Sequence, residues 1–108
     1  MCGAAQIRSD LQQLVGDSNY WIKAGTYQPD EISARFHHRL TLIHPFPNGN
    51  GRHARLATDL LLASLGRPRF SWGQENLVDA TLTRKTYVAA LRAADKHDLY
   101  PLLDFVRS

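Results

Sequence analysis

The sequence predicts an all-α chain, a helical bundle of about five helices, on three observations. Apolar residues recur with the 3.6-residue period of a helix, and the two-residue alternation of a half-buried strand is almost absent. Glycine and proline stand where each periodic segment starts or stops. The length of 108 residues and the apolar (44%) and charged (21%) fractions are those of one ordinary globular domain. We therefore expect a single domain over residues 1–108.

Two helices are predicted before the middle of the chain. The first ends at Gly25, and its apolar stripe comprises Ile7, Leu11, Leu14, Ser18, Trp21 and Ile22. The second opens at Pro29, because proline suits the first helical position and Asp30 and Glu31 face the positive end of the helix dipole. Pro45 prevents this helix from continuing. Its expected buried residues are Ile32, Phe36, Leu40 and Ile43.

Three more helices are predicted after a glycine-rich turn. The third ends at Gly66, and the residues expected on one apolar face are Leu56, Leu60 and Ala63. The fourth begins at Asn76 or Thr83 and ends at Asp95, and it is expected to bury Leu82, Tyr87, Val88 and Leu91. Asp98 is suited to cap a short fifth helix, whose apolar residues are Leu102, Leu103, Phe105 and Val106.

Composition excludes several classes of protein. The longest apolar run, Leu60–Leu65, is far shorter than the ~18 residues of a membrane helix, so no membrane association is expected. Met1–Leu14 lacks the basic start and apolar stretch of a secretory signal. The single Cys2 excludes an internal disulfide framework and a zinc site built on several thiolates. We expect a reduced, cytoplasmic protein.

The charge is distributed unevenly along the chain. Between Arg35 and Arg69 there are six arginines and one acid, Asp59, whereas the remaining residues carry seven basic and nine acidic side chains. Arginine is suited to bidentate contacts with phosphate. A basic middle therefore indicates an anionic ligand, for which a nucleic acid and a nucleotide are both candidates.

The segment HPFPNGNGRHAR, residues 44–55, carries the most chemistry. The turn at Gly49–Gly51 can aim successive backbone N–H groups at one point, where the following helix also directs its unpaired amides and positive dipole. Arg52 and Arg55 are three residues apart and share a face of that helix. His44 is a suitable proton acceptor at the other end of the loop. The segment predicts a polyphosphate cradle.

This stretch closely resembles the signature of the Fic (filamentation induced by cAMP) family, His-x-Phe-x-Asp/Glu-Gly-Asn-Gly-Arg-x-x-Arg. Every position matches except one, where Asn48 replaces the acid. Later segments are similar to a bacterial Fic subgroup called mobile mystery protein B, so the resemblance covers nearly the whole chain; they are Leu60–Gly66, Phe70–Gly73 and Ala93–Val106. The resemblance implies a Fic-type helical fold with the motif loop between two core helices.

The resemblance also implies an activity, protein nucleotidyl transfer (AMPylation), in which AMP passes from ATP, with Mg²⁺, to a Ser, Thr or Tyr hydroxyl of a target protein. In such a site His44 takes the proton of the attacking hydroxyl, and Phe46 anchors the loop. The phosphates are held by the Gly49, Asn50 and Gly51 amides and the Asn50 side chain, with Arg52 on the inner leaving phosphates and Arg55 on the γ-phosphate. A regulatory partner protein is a further expectation.

Two departures from the family pattern lower the expected activity. The family acid at position 48 ligates Mg²⁺, whereas Asn48 offers one neutral oxygen and is a weaker ligand. Full-length relatives also place helices and a target-docking β-hairpin flap before the helix that begins here near Ile7. We therefore expect this chain to be the C-terminal part of such a protein, a partial Fic domain.

Three classes of function stay open. The first is protein adenylyl transfer, and the second is a Doc-like protein kinase, although Doc-type motifs have a basic residue where Gly51 stands. The third is a non-catalytic nucleotide-binding remnant or interaction module. Nucleic-acid binding is less favoured, because the arginines cluster at the loop. His37, His38, His53 and His97 are assigned to the surface or to packing, and no zinc site is expected from the histidines.

Overall fold

The computed structural model describes residues 4–43, 50–73 and 80–108. Within these ranges the chain forms five helices and no strand, which confirms the predicted all-α class. The helices are α1 (Ala4–Ala24), α2 (Pro29–Ile43), α3 (Asn50–Ser64), α4 (Ala80–Asp95) and α5 (Tyr100–Val106). Among the described residues, none of the helices combines the length and the apolar character that crossing a bilayer requires.

The chain divides into two compact units. The first comprises Met1–Pro68 and contains α1, α2 and α3, and in it α2 packs against both of the other helices. The second comprises Arg69–Ser108, where α4 packs against α5. The predicted motif therefore belongs to the first unit.

A hydrophobic cluster in the first unit fixes the end of α2 against the start of α3. Its buried members are Leu14 from α1, Leu40 and Ile43 from α2, and Ala54 from α3. Partly buried side chains surround it: Ile7, Leu11, Phe36 and Ala57. Because Ile43 is the last residue of α2 and Ala54 lies in the second turn of α3, the cluster holds the two helix ends that flank the motif loop.

The predicted apolar face of α3 is exposed, and the prediction for α4 is wrong for Leu82, whereas Tyr87, Val88 and Leu91 are partly buried. Leu56 and Leu60 are 58% and 64% exposed and Ala63 is exposed, and α3 instead buries Ala54, Thr58 and Leu62. Leu82 is 61% exposed, and α4 buries Ala90 and Ala94. Both helices place small residues inward, where they allow a close approach of the neighbouring helix, while leucines occur on more than one side of α3 and make its apolar period ambiguous.

The ends of three helices share one hydrogen-bond pattern. At the end of α3 the Arg67 amide donates to the Leu62 carbonyl (2.9 Å) and the Gly66 amide to the Ala63 carbonyl (3.1 Å). This is a Schellman motif, which requires a left-handed residue at the position of Gly66, where φ is +74°. Gly25 ends α1 in the same way, as predicted, whereas α4 ends on His97 with φ +69°.

In the second unit the connector after Pro68 is tied to the end of α5. The amides of Ser71 and Trp72 donate to the Val106 carbonyl at 2.8 and 3.1 Å. At the start of α5 the Asp98 carboxylate accepts a hydrogen bond from the Tyr100 amide (3.3 Å), and Leu99 occupies the cap position. Asp98 therefore acts one residue before the cap position for which the sequence predicts it.

Candidate functional site

The two helices that flank the predicted motif loop are defined up to its edges. α2 ends at Ile43, directly before the motif, and α3 begins within it at Asn50. Four predicted site residues lie outside the described residues: His44, Phe46, Asn48 and Gly49. The structure places the other four on the first two turns of α3, namely Asn50, Gly51, Arg52 and Arg55. Asn50 and Gly51 are therefore helical, and the prediction that they belong to a turn is wrong.

The start of α3 has the features of an anion site. The first backbone amides of a helix have no intrahelical acceptor, and the dipole places partial positive charge there. Arg52 is exposed and Arg55 is half-buried, and their three-residue spacing places both on one face of the helix. This arrangement can neutralise the charge of a phosphate group that approaches the first turn of α3.

A buried hydrogen-bonded pair joins α2 to α3 beneath this turn. Nδ1 of His37 lies 3.2 Å from Oγ1 of Thr58, and both residues are 0% exposed. The Thr58 hydroxyl donates to the Ala54 carbonyl (2.7 Å). Its oxygen is then left to accept a hydrogen bond from the Nδ1–H of a neutral His37. The pair adds a directional contact to the apolar cluster that fixes the helices.

Burial keeps His37 uncharged. Desolvation lowers the pKa of His37 from 6.5 to about 4, with smaller contributions of the same sign from the charges of Arg55 and His38. The Ala54 backbone hydrogen bond acts in the opposite direction on the pKa. Because the charge of Arg55 acts on this ring, the predicted phosphate ligand Arg55 lies close to the α2–α3 contact.

The assignment of His37 to the surface or to packing missed its specific role. The sequence signal that could have found it is its place one turn after the buried Ser33 and one turn before the buried Leu40, on the inner side of α2. A histidine on a buried helical face needs a hydrogen-bond partner. The sequence does not show that Thr58, 21 residues later, provides it.

Ion pairs between described residues engage several arginines of the basic middle. Arg35 pairs with Glu31 (2.8 Å), Arg39 with Asp17 (2.6 Å) and Arg67 with Asp30 (3.4 Å). These acids lie outside the segment between Arg35 and Arg69, so the charge of that segment overstates the positive charge that it offers to a ligand. Arg52 and Arg55 are candidates for anion binding because they lie at the start of α3.

No cluster of three or more metal-ligating side chains (His, Cys, Asp or Glu) occurs within residues 4–43, 50–73 and 80–108. The predicted metal ligand, Asn48, lies outside these ranges. The described residues therefore contribute no multidentate metal site to the start of α3.

Comparison with known proteins identifies relatives of this chain. A family model of the Fic/DOC family matches residues 1–62. Protein adenylyltransferase fic-1 of Caenorhabditis elegans is 38% identical over 81 residues, which are 75% of this chain and 15% of that protein. Protein adenylyltransferase Fic of Aedes aegypti is 30% identical over 100 residues, 90% of this chain and 19% of that protein. The chain thus spans less than a fifth of the length of these relatives.

Solved structures of a relative have a similar fold. A single-substitution variant of Fic-1 from C. elegans superposes with a TM-score of 0.73 at 30% identity, covering 97% of this chain and 29% of that one. Another structure of Fic-1 from C. elegans gives a TM-score of 0.70 at 32% identity, over 94% of this chain and 28% of that one. These relatives are animal proteins, so the bacterial subgroup stays a prediction. The family model alone covers more than half of the residues, and the chain belongs to the Fic/DOC family.

Proposed function

We propose that this chain is the catalytic part of a protein adenylyltransferase, which transfers AMP from ATP to a hydroxyl side chain of a target protein. The observation that carries the proposal is the position of the motif arginines. Arg52 and Arg55 share a face of the first turns of α3, close to a buried α2–α3 contact. Relatives that share 30–38% of the matched residues carry the name protein adenylyltransferase.

In the proposed reaction the target hydroxyl attacks the α-phosphorus of ATP. The new bond joins the hydroxyl oxygen to phosphorus, the bond from phosphorus to the bridging oxygen of the β-phosphate breaks, and pyrophosphate leaves. His44 accepts the hydroxyl proton as general base, a role worth ~10²–10⁴-fold in rate. Arg52, Arg55 and the amides of Gly49–Gly51 neutralise charge on the leaving phosphates, and Phe46 anchors the loop.

The residues present are a poor fit for Mg²⁺, which prefers carboxylate and phosphate oxygens. Asn48 supplies one neutral oxygen where the family pattern has an acid, and the described residues add no cluster of metal ligands. The expected consequence is a weaker dependence of nucleotide binding on Mg²⁺ than a carboxylate at position 48 would give.

Transfer of label from ATP to protein tests the proposal. The chain is incubated with a cell lysate and either α-³²P or γ-³²P ATP, and wild type is compared with His44→Ala. Adenylyl transfer predicts label on protein from the α-phosphate only, and its loss in His44→Ala. A matched control is His53→Ala, because His53 lies in the same motif at a position where the family pattern has no requirement.

Other outcomes would contradict the proposal. Label from the γ-phosphate alone would indicate phosphorylation by a Doc-like kinase. Equal transfer by His44→Ala would exclude His44 as the base. Nucleotide binding without transfer of either label would indicate a non-catalytic nucleotide-binding module, the second candidate, which the replacement of the family acid by Asn48 favours.

A further inference from the structure

One face of α4 carries a band of positive charge over an apolar floor. Its cations are Arg84, Lys85 and Arg92 of α4 and Lys96, which directly follows the helix, and its floor consists of Val88, Ala89 and Ala93. An open cavity of about 700 Å³ lies against this face, and the described residues that line it are these seven and Thr81. We call the seven residues the α4 cationic face.

Helical spacing makes this face continuous. Lys85, Ala89, Arg92 and Lys96 follow one another at intervals of three or four residues, so they lie one above the other along the helix. With a rise of 1.5 Å per residue, Arg84 and Lys96 are about 18 Å apart along the axis. The band is therefore long enough for three turns of a second helix.

Among the described residues, the packing of α4 does not use the cations of this face. α4 uses its opposite side for packing, where Ala90 and Ala94 are buried. All four cations are exposed, and ion pairs between described residues engage other arginines, such as Arg35 and Arg39. Among the described residues that line the cavity there is no acid.

We propose that the α4 cationic face binds an acidic amphipathic helix of a partner protein. The floor of alanine and valine matches an apolar stripe, and the small side chains of Ala89 and Ala93 allow the helix axes to approach to about 8–10 Å. Glutamate or aspartate on both sides of that stripe would meet the four cations, which gives steering and specificity. A helix with an apolar stripe flanked by acids would cover the apolar floor and pair with the cations at the same time.

A nucleic acid would pair with the cations of this face but would not cover its apolar floor. Proteins that bind single strands without sequence preference stack the bases on aromatic side chains, and the described lining of this cavity contains no aromatic residue. A phosphate backbone would neutralise the cations but would leave Val88, Ala89 and Ala93 without an apolar partner. The floor therefore favours a protein helix.

A designed peptide tests the proposal directly. The probe is a fluorescent peptide with the 16-residue length of α4, with one stripe of leucine and alanine flanked by glutamate. A scrambled peptide of the same composition is its control, and affinity for the whole chain is measured by anisotropy at several salt concentrations. We expect the amphipathic peptide to bind about tenfold or more tightly than the scrambled one, with affinity falling as salt rises.

Variants of the chain assign the binding to this face. The double variant Lys85→Gln/Arg92→Gln removes two cations and introduces glutamine, which is a good helix former. We expect it to weaken peptide binding about tenfold. Ala89→Glu places bulk and like charge on the floor and should abolish binding. The matched control is Arg8→Gln/Lys23→Gln, two exposed cations of α1, which should bind as wild type does; circular dichroism checks the helix content of each variant.

Several results would overturn the proposal. They are equal binding of the scrambled peptide, unchanged binding by Ala89→Glu, and equal losses in the α1 control. Tighter binding of a single-stranded oligonucleotide, lost in Lys85→Gln/Arg92→Gln, would assign the face to nucleic acid instead. ATP turnover is not a readout of these assays, so their failure is independent of failure of the proposed adenylyl transfer.

Discussion

The imidazole of His37 and the hydroxyl of Thr58 meet at 3.2 Å where both residues are completely buried, and this contact joins α2 to α3. The same two helices flank the Fic motif. A hydrogen bond between buried groups specifies one arrangement more strictly than apolar contact alone, because either group would be costly to leave unpaired. The contact therefore fixes the geometry from which the motif loop departs.

Thr58→Val tests the strength of this contact. Valine keeps the shape of the side chain but removes the hydroxyl, so the buried His37 ring loses its hydrogen bond to Thr58. We expect a loss of about 1–3 kcal/mol in the free energy of unfolding, measured by urea denaturation.

Thr86→Val is a matched control for this substitution. Thr86 also donates to a carbonyl four residues earlier, that of Leu82 (3.0 Å), but it is exposed on α4 and has no histidine partner in that bond. We expect a change within about 0.5 kcal/mol. Equal losses in the two variants would show that the His37 contact adds nothing.

The lowered pKa of His37 predicts a loss of stability in acid. The neutral ring is favoured in the folded state, with a pKa of about 4 against 6.5 in the unfolded chain. Above pH 6.5 both states are neutral and the stability is complete; between pH 6.5 and 4 only the unfolded state gains the proton. The free energy of unfolding should therefore fall as pH decreases through this window, by roughly 3 kcal/mol.

His37→Gln separates this effect from other titrations, because glutamine keeps a hydrogen-bonding group and does not titrate. The charges that act on His37 are those of Arg55 and His38, and both remain in the variant. The slope of unfolding free energy against pH between 4 and 6.5 should be shallower in His37→Gln than in wild type. Parallel slopes would contradict the assignment.

The sequence predicts helix ends better than helix faces in this chain. Gly25, Pro29 and Gly66 mark three ends correctly, because φ and amide requirements at helix ends are local. Leu56 and Leu60 share an apolar face and yet are exposed, because periodicity records which residues share a face and not which face meets a neighbour. Only the packing of α3 against α2 decides that the side with Ala54 is buried.

In the candidate site, the sequence predicts the motif arginines but not the contact between the helices that position them. The arginines at the start of α3 follow from the motif and from helical spacing, which are local properties of residues 44–55. The His37–Thr58 contact depends on the alignment of two helices that are joined by the loop, so no local pattern predicts it. Ion pairs such as Arg39–Asp17 also join residues that are distant in sequence. They neutralise part of the positive charge that is obtained by counting the arginines of the segment.

Gly73→Ala should lower the free energy of unfolding more than Gly66→Ala does. Gly73 has φ +75°, and a Cβ there would lie 2.7 Å from Cε1 of Phe105 and 3.2 Å from Cγ2 of Thr83. The left-handed conformation alone costs about 1–2 kcal/mol, and the contact with the buried Phe105 ring adds overpacking of about 1–3 kcal/mol. Urea unfolding measures the sum.

Gly66→Ala provides the comparison, since Gly66 has φ +74° and a Cβ would have nothing within 4 Å. It should lose only the conformational part, so the difference between the two variants isolates the contact with Phe105. A loss in Gly73→Ala no larger than that in Gly66→Ala would argue against close packing of this ring on the backbone.

Asn48→Asp should strengthen the dependence of nucleotide binding on Mg²⁺. A carboxylate adds a charge and a second oxygen, both of which Mg²⁺ prefers over a neutral amide. Titrating ATP by calorimetry with and without Mg²⁺ gives the ratio of affinities for each protein, and this ratio should be larger in the variant. If the two ratios agree, residue 48 does not ligate the metal in this chain.

Arg52→Ala should weaken ATP binding about tenfold or more, since a hydrogen bond to a charged phosphate is worth ~1.5–3 kcal/mol. Arg52 is the better arginine to test, because it is exposed on α3, whereas the charge of Arg55 also lowers the pKa of the buried His37. Calorimetric titration with ATP measures the change, and urea unfolding verifies that stability is unaltered.

Arg8→Ala is the control for Arg52→Ala. It removes an exposed arginine of α1 in the same unit, so it lowers the net charge equally but should leave the affinity within about twofold of wild type. Equal losses in the two variants would mean that ATP responds only to overall charge, and no loss in Arg52→Ala would remove this side chain from the phosphate site.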